Sequence, residues 1–110
     1  MKTLEFSGDI IIQQIINSLV ALVNPDKIIL FGSRATGKAK KDSDYDVCVL
    51  KKNANRKKML DKIYRTGLQA GAPVDIIVNT PNKFDIQKNK SYYVYYDVAK
   101  EGKIIYEKGK

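Results

Sequence analysis

Apolar residues recur at Ile12, Ile15, Ile16, Leu19, Val20 and Val23, a three-and-four spacing that predicts one buried face of a helix. Ser7 or Asp9 is available as its N-cap. Asn24-Pro25-Asp26 stops it, and the run Lys27 to Phe31, rich in β-branched residues and closed by Gly32, predicts a buried strand. Gly32 to Ser43 is polar and predicts a loop with room for one helical turn. Tyr45 to Leu50 predicts a second strand. Asn53 or Asn55 then caps a helix expected from Arg56 to Ala70, with Leu60, Ile63, Tyr64 and Leu68 on its inner face and Gly71 and Pro73 ending it. Val74 to Val78 predicts a third strand, and Thr80-Pro81 an N-cap followed by proline at the first helical position. A further helix is expected from about Ser91 to Gly102, and Lys103 to Tyr106 as a short closing strand. Ile10, Ile11 and Leu22 fall outside the first helix's stripe and offer a binding face.

The pattern shows no repeat and no linker, so residues 1–110 are expected to form a single domain, of α+β class with alternating elements. Three main strands and the short C-terminal one would make a mixed sheet packed against helices.

Within that frame the acidic residues are oddly placed. Asp44 and Asp46 are separated by one residue at a strand start, so their side chains project from one face. Two such carboxylates repel each other unless cations neutralise both, and oxygen donors of this type suit Mg²⁺. Asp75 interrupts the apolar run Val74-Asp75-Ile76-Ile77-Val78. It is expected to be buried, where a carboxylate needs a partner or a metal; the alternative is an exposed residue at the strand's first turn. Gly32-Ser33, directly after a strand, can bring backbone and a hydroxyl close to a phosphate. By itself such a pair is usually just a turn.

Joining these pieces in one site fixes a topology. The end of the first strand must meet the beginning of the second, so those two run antiparallel. Asp75 near the start of the third strand joins them only if the second and third strands are parallel, with the intervening helix as crossover.

Composition narrows the chemistry. Hydrophobic residues are 44% and charged residues 29% of the chain, as in ordinary globular proteins. Histidine is absent, which excludes a His general base, a Ser-His-Asp triad and every His-ligated metal. The single cysteine, Cys48, permits no intrachain disulfide, lies in an apolar run and is expected to pack in the core. Without a signal-peptide pattern or an uninterrupted membrane span, the cytoplasm is the expected compartment and no membrane partner is expected. The net charge of +8 points to an anionic partner.

The string Phe-Gly-Ser-Arg-Ala-Thr-Gly-Lys-Ala-Lys-Lys-Asp-Ser-Asp-Tyr-Asp-Val, with a later aspartate in an apolar strand, resembles the signature of the polymerase-β-like nucleotidyltransferases. It is most similar to their minimal, one-domain group. The resemblance extends over nearly the whole chain, to the closing Glu-Gly-Lys-Ile-Ile-Tyr-Glu; Tyr45 stands where an aliphatic residue is more usual and points away from the carboxylates. It implies the palm-like fold of that superfamily and transfer of a nucleoside monophosphate, AMP from ATP or the equivalent from another nucleoside triphosphate. Asp44 and Asp46 would hold two Mg²⁺ ions, or Mn²⁺ in their place, and Asp75 would ligate the second ion or take the acceptor's proton. Gly32 and Ser33 would hold the β and γ phosphates. Arg34, with Lys38 or Lys40, would offset charge on the departing pyrophosphate. Arg34 has a bland alternative in a surface ion pair. The same resemblance implies a partner protein of the small helical HEPN type, as acceptor or as a toxin to be neutralised.

Two rivals remain. One is a noncatalytic interaction module that keeps the fold. The other, weaker, is a nucleic-acid-binding protein, supported by Lys51-Lys52, Arg56-Lys57-Lys58 and the tyrosines at 92, 93, 95 and 96. Tyr92, Tyr95, Tyr96 and Ala99 follow helical spacing, which favours packing over base stacking.

Overall fold

The computed structural model of the chain describes residues 2–3 and 9–109. In chain order these form β1 (Lys2–Thr3), α1 (Ile10–Val23), β2 (Lys27–Phe31), α2 (Ser33–Thr36), β3 (Tyr45–Leu50), α3 (Arg56–Thr66), β4 (Val74–Asn79), α4 (Pro81–Gln87), α5 (Val94–Glu101) and β5 (Lys103–Glu107). The strands make one mixed sheet in the order β1-β5-β2-β3-β4. β2 lies antiparallel to both β3 and β5, and β3 runs parallel to β4 with α3 as the crossover. These are the strand directions that the site required. The two-residue β1, parallel to β5, is an addition to the four strands expected.

Alternation along the strands divides the core into two layers. Ile28, Leu30, Val47, Val49, Ile76 and Val78 face α1 and α3. Ile29, Cys48 and Leu50 face the opposite way, onto Phe84 of α4 and Tyr95 and Val98 of α5. Sheet burial on both faces explains why the central strands read as continuous apolar runs rather than alternating ones. Cys48 is fully buried, and burial pushes its thiol up to about 12. It packs and does not react.

Helix ends follow local chemistry. Asp9 caps α1 by accepting from the Ile12 N–H, Asn55 caps α3 and Thr80 caps α4. Ser7, the other cap considered for α1, lies outside the described residues. The helix expected to reach Ala70 instead ends at Thr66, where the Gly67 N–H donates to the Ile63 carbonyl. Tyr64 is exposed, contrary to the inner-face expectation, because α3 turns only Met59, Leu60 and Ile63 toward the core. α5 starts at Val94, later than expected, leaving Tyr92 exposed and tilted against Tyr93 with ring centroids 4.7 Å apart. Of the proposed binding face on α1, only Ile10 is exposed; Ile11 and Leu22 pack against the core. Among the described residues no helix is long and apolar enough to cross a membrane.

Candidate active site

Antiparallel pairing sets Phe31, the last residue of β2, opposite Asp46. Parallel pairing sets Asp46 opposite Asp75. Asp44 precedes β3 by one residue. The rim of the sheet formed by the end of β2 and the starts of β3 and β4 thus carries the three carboxylates and the Gly32-Ser33 turn. Asp46 is half-buried on the face shared with Cys48 and Leu50, while Asp44 is exposed. Asp75 is exposed as well, which corrects the expectation of a buried charge. β4 is an outer strand of the sheet and Asp75 its second residue, so the apolar run around it is covered only further along.

The Asp46 carboxyl is held above the ordinary carboxylate value by burial, then by the negative charges of Asp75 and Asp44. The ion pairs among the described residues, Lys27 with Glu107 and Lys88 with Asp85, lie elsewhere. The rim therefore collects negative charge without a lysine or arginine to neutralise it, and a divalent cation would relieve that repulsion. Its donors are all hard carboxylate oxygens, the set Mg²⁺ prefers. As they stand, no three acidic, histidine or cysteine side chains among the described residues converge on one point that could hold an ion. The fit is one of donor type and neighbourhood.

Gly32 caps α2 with φ 72° and ψ −157°, a region that side-chain-bearing residues essentially never occupy. A Cβ built there would collide with Asp46 Oδ2 and lie 3.2 Å from its Cγ. Only glycine lets the turn pass this close to the carboxylate. The Ser33 hydroxyl follows at once, half-buried, while its carbonyl accepts from the Lys38 N–H at 3.1 Å.

Arg34 is engaged differently from the phosphate role the resemblance implied. Its Nε and Nη2 donate to the Ser43 carbonyl at 3.3 and 2.9 Å, and Nη2 also reaches the Lys41 carbonyl at 3.3 Å. Its guanidinium lies over the Tyr45 ring, 4.4 Å from the centroid. It makes no ion pair among the described residues. Tyr45 is buried on the sheet face opposite Asp46, as alternation requires. Burial, the Asp9 carboxylate and a hydrogen bond to it hold the phenol above its ordinary value, and Arg34 opposes them. Arg34 and Tyr45 together fasten the segment that leads into Asp44. Sequence reading had missed this brace; the signal was an aromatic residue where an aliphatic one is usual. Lys38 and Lys40 are exposed on the loop beyond α2. Lys51 belongs to the fold: its Nζ donates to the Val23 carbonyl at the end of α1, at 2.6 Å.

A mixed sheet that sets a glycine-serine turn against an aspartate pair, with a third aspartate in register on the next parallel strand, defines the class: a domain of the nucleotidyltransferase fold. The chain belongs to the nucleotidyltransferase domain family, whose model matches residues 12–105. Among solved structures, it is similar to a chain from a crystal structure of a toxin-antitoxin with AMP-PNP, at 21% identity and a TM-score of 0.56 over 89% of this chain and 74% of that one. It is also similar to a candidate nucleotidyltransferase from Sulfolobus solfataricus, at 21% identity and a TM-score of 0.55 over 94% and 93%. At this identity the likeness to the two structures concerns the fold. No curated protein matches the chain.

Proposed function

We propose that this chain transfers a nucleoside monophosphate, AMP from ATP, to a hydroxyl on a partner protein of the small helical HEPN type, and so acts as an antitoxin. The observation that carries the transfer reading is the contact of Gly32 with Asp46, itself in register with Asp75. A close backbone approach beside two neighbouring carboxylates supports that reading. The toxin-antitoxin structural relative supports the partner and the choice of nucleotide by analogy of fold.

In this reading Asp44 and Asp46 hold the divalent ion that grips the triphosphate, and Asp75 serves a second ion or takes the acceptor's proton. Bound Mg²⁺, or Mn²⁺, supplies charge neutralisation on the phosphates and a lower pKa for the attacking hydroxyl. Gly32 gives room, and the Ser33 hydroxyl donates to a phosphate oxygen. Arg34 acts as a positioning residue through the 41–43 segment, and the exposed Lys38 on the loop after α2 offsets charge on the phosphates. Attack of the acceptor oxygen on the α-phosphorus breaks the bond to the β-phosphate bridging oxygen, releasing pyrophosphate.

The test is incubation of the protein with ATP labelled at the α-phosphate, Mg²⁺ and the protein encoded beside it. Label on the partner with wild type and none with Asp46→Asn is the expected result. Neutralisation of the partner that survives Asp46→Asn and needs no nucleotide would instead mark a noncatalytic antitoxin.

A further inference from the structure

A second concavity lies on the same sheet face as Asp46 and Asp75, at the opposite end of β4. It encloses about 370 Å³ between the end of that strand, the starts of α3 and α5, and α4. That is enough for a small organic ligand. Asp75 and Asn79, the two ends of this stretch of β4, are separated by about 13 Å of extended chain.

The chemistry of this cavity is the reverse of the aspartate rim. Arg56 and Lys83 line it, and no carboxylate does among the described residues. Neither cation takes part in an ion pair among the described residues, where those pairs are Lys27 with Glu107 and Lys88 with Asp85. The Asn79 side-chain amide donates to Gln87 Oε1 at 2.8 Å, which orients the Gln87 amide and leaves its own N–H pair to donate. The Asn79 oxygen is already taken by the Thr80 N–H at 2.9 Å. The charged groups on offer are therefore cations, with the Gln87 amide as a donor beside them, which suits an anion with several acceptor oxygens. The apolar part of the wall includes Ile77, Val94 and the Tyr93 ring. Tyr93, whose ring centroid lies 4.7 Å from that of Tyr92 at a tilt of 43°, is a flat surface against which a planar ring can lie. The Arg56 charge is felt by the Tyr95 phenol, where it opposes the rise caused by burial and by Cys48, and both residues line the cavity.

We infer that this cavity is a second ligand site, separate from the aspartate rim, which takes a phosphate-bearing aromatic molecule of the mononucleotide class. Arg56 and Lys83 hold the phosphate, Gln87 donates to it or to the ring, and Tyr93 stacks on the base. The binding needs no divalent ion, because the protein itself supplies the positive charge. This sets it apart from a triphosphate held at the rim, and it stands whether or not the chain transfers nucleotides.

The experiment is amide NMR of the ¹⁵N-labelled protein in EDTA, titrated separately with AMP and with inorganic phosphate at constant ionic strength. AMP should shift the amides of Asn79, Gln87 and Tyr93 while leaving Gly32 to Asp46 unmoved, and phosphate should shift the same group with weaker affinity. Arg56→Gln with Lys83→Gln, both at exposed positions, should keep the melting temperature and weaken AMP by about tenfold or more, the scale of lost hydrogen bonds to a charged group. Shifts confined to Gly32 to Asp46, spread over the lysine-rich surface and unchanged in the double variant, or absent altogether would overturn the site. Phosphate binding as tightly as AMP would overturn the assignment to a nucleotide.

Discussion

Arg34 covers the Tyr45 ring at 4.4 Å from its centroid while it donates to the Ser43 and Lys41 carbonyls. One side chain thus ties the helical turn after Gly32 to the loop that delivers Asp44 and to the residue between the two aspartates. An arginine at this place was expected to meet phosphate. The geometry makes it first a fastening, whose planar fork suits two carbonyls and an aromatic face together.

Lysine cannot reproduce that fork. Arg34→Lys and Tyr45→Leu should each lower stability by about 1–2 kcal/mol, combining the hydrogen bonds and the cation–π contact. Together they should cost less than the sum, because each removes the same contact. Denaturant unfolding of the two single variants and the double variant checks this. Full additivity would mean that the stack contributes nothing.

Gly32→Ala should be far worse than Gly37→Ala. Both glycines have positive φ, at 72° and 77°, so both substitutions carry backbone strain of about 1–3 kcal/mol. Only at position 32 does the added carbon run into Asp46, since nothing lies within 4 Å of a Cβ at Gly37. Nucleotide transfer and Mg²⁺-dependent binding of an ATP analogue should collapse in Gly32→Ala and survive in Gly37→Ala. Equal loss in both would reduce the Gly32–Asp46 contact to a matter of backbone strain.

Much of this architecture was legible beforehand for a physical reason. β2 and β3 are buried on both faces, so their apolar runs stand out, the first between a proline-containing turn and a glycine and the second between charged residues, and the observed bounds Lys27–Phe31 and Tyr45–Leu50 are those expected. The end of α3 was harder to read, because Leu68 and Ala70 pack against the core from an irregular segment and so mimic another helical turn. Asp75 misled in the opposite sense. An apolar neighbourhood in sequence signals burial of the strand, but exposure at a given residue depends on whether the strand is an edge and how far the covering helices extend. The Arg34–Tyr45 brace and the Arg56–Lys83 cavity join residues from different elements, and local periodicity carries no record of such meetings.

The metal-free protein should become less stable as pH rises through the acid range. Asp46 is held above its ordinary value of 3.8 by burial and by the charges of Asp75 and Asp44. With the folded-state value above the unfolded one, the stability gained by protonation is fully present below the ordinary value and lost as pH rises through the raised one. Melting temperature in EDTA should therefore fall across that window, and Asp46→Asn should flatten this part of the profile. Saturating Mg²⁺ with an ATP analogue should do the same in wild type by favouring the charged form. An Asp46→Asn profile parallel to wild type would assign the dependence to other groups.

Asp75 separates catalysis from nucleotide binding. Asp44 and Asp46 flank one residue and can share the ion that grips the triphosphate, whereas Asp75 approaches from the neighbouring strand and is more exposed than Asp46. Asp75→Asn should accordingly keep most of the affinity for an ATP analogue in Mg²⁺, while transfer falls by a factor on the order of a hundred or more, the scale of a lost metal ligand or general base. Stability should not drop, because an exposed side chain leaves no cavity and removing its charge relieves Asp46. That relief has its own signature: the Asp46 carboxyl should titrate closer to the ordinary value, since Asp75 is the larger of the two charge effects acting on it. Side-chain carboxyl NMR in EDTA reads this without any assay of transfer. If Asp46 titrates unchanged and transfer proceeds at the wild-type rate, the register of Asp46 with Asp75 has no electrostatic or catalytic consequence, and the site rests on Asp44 and Asp46 alone.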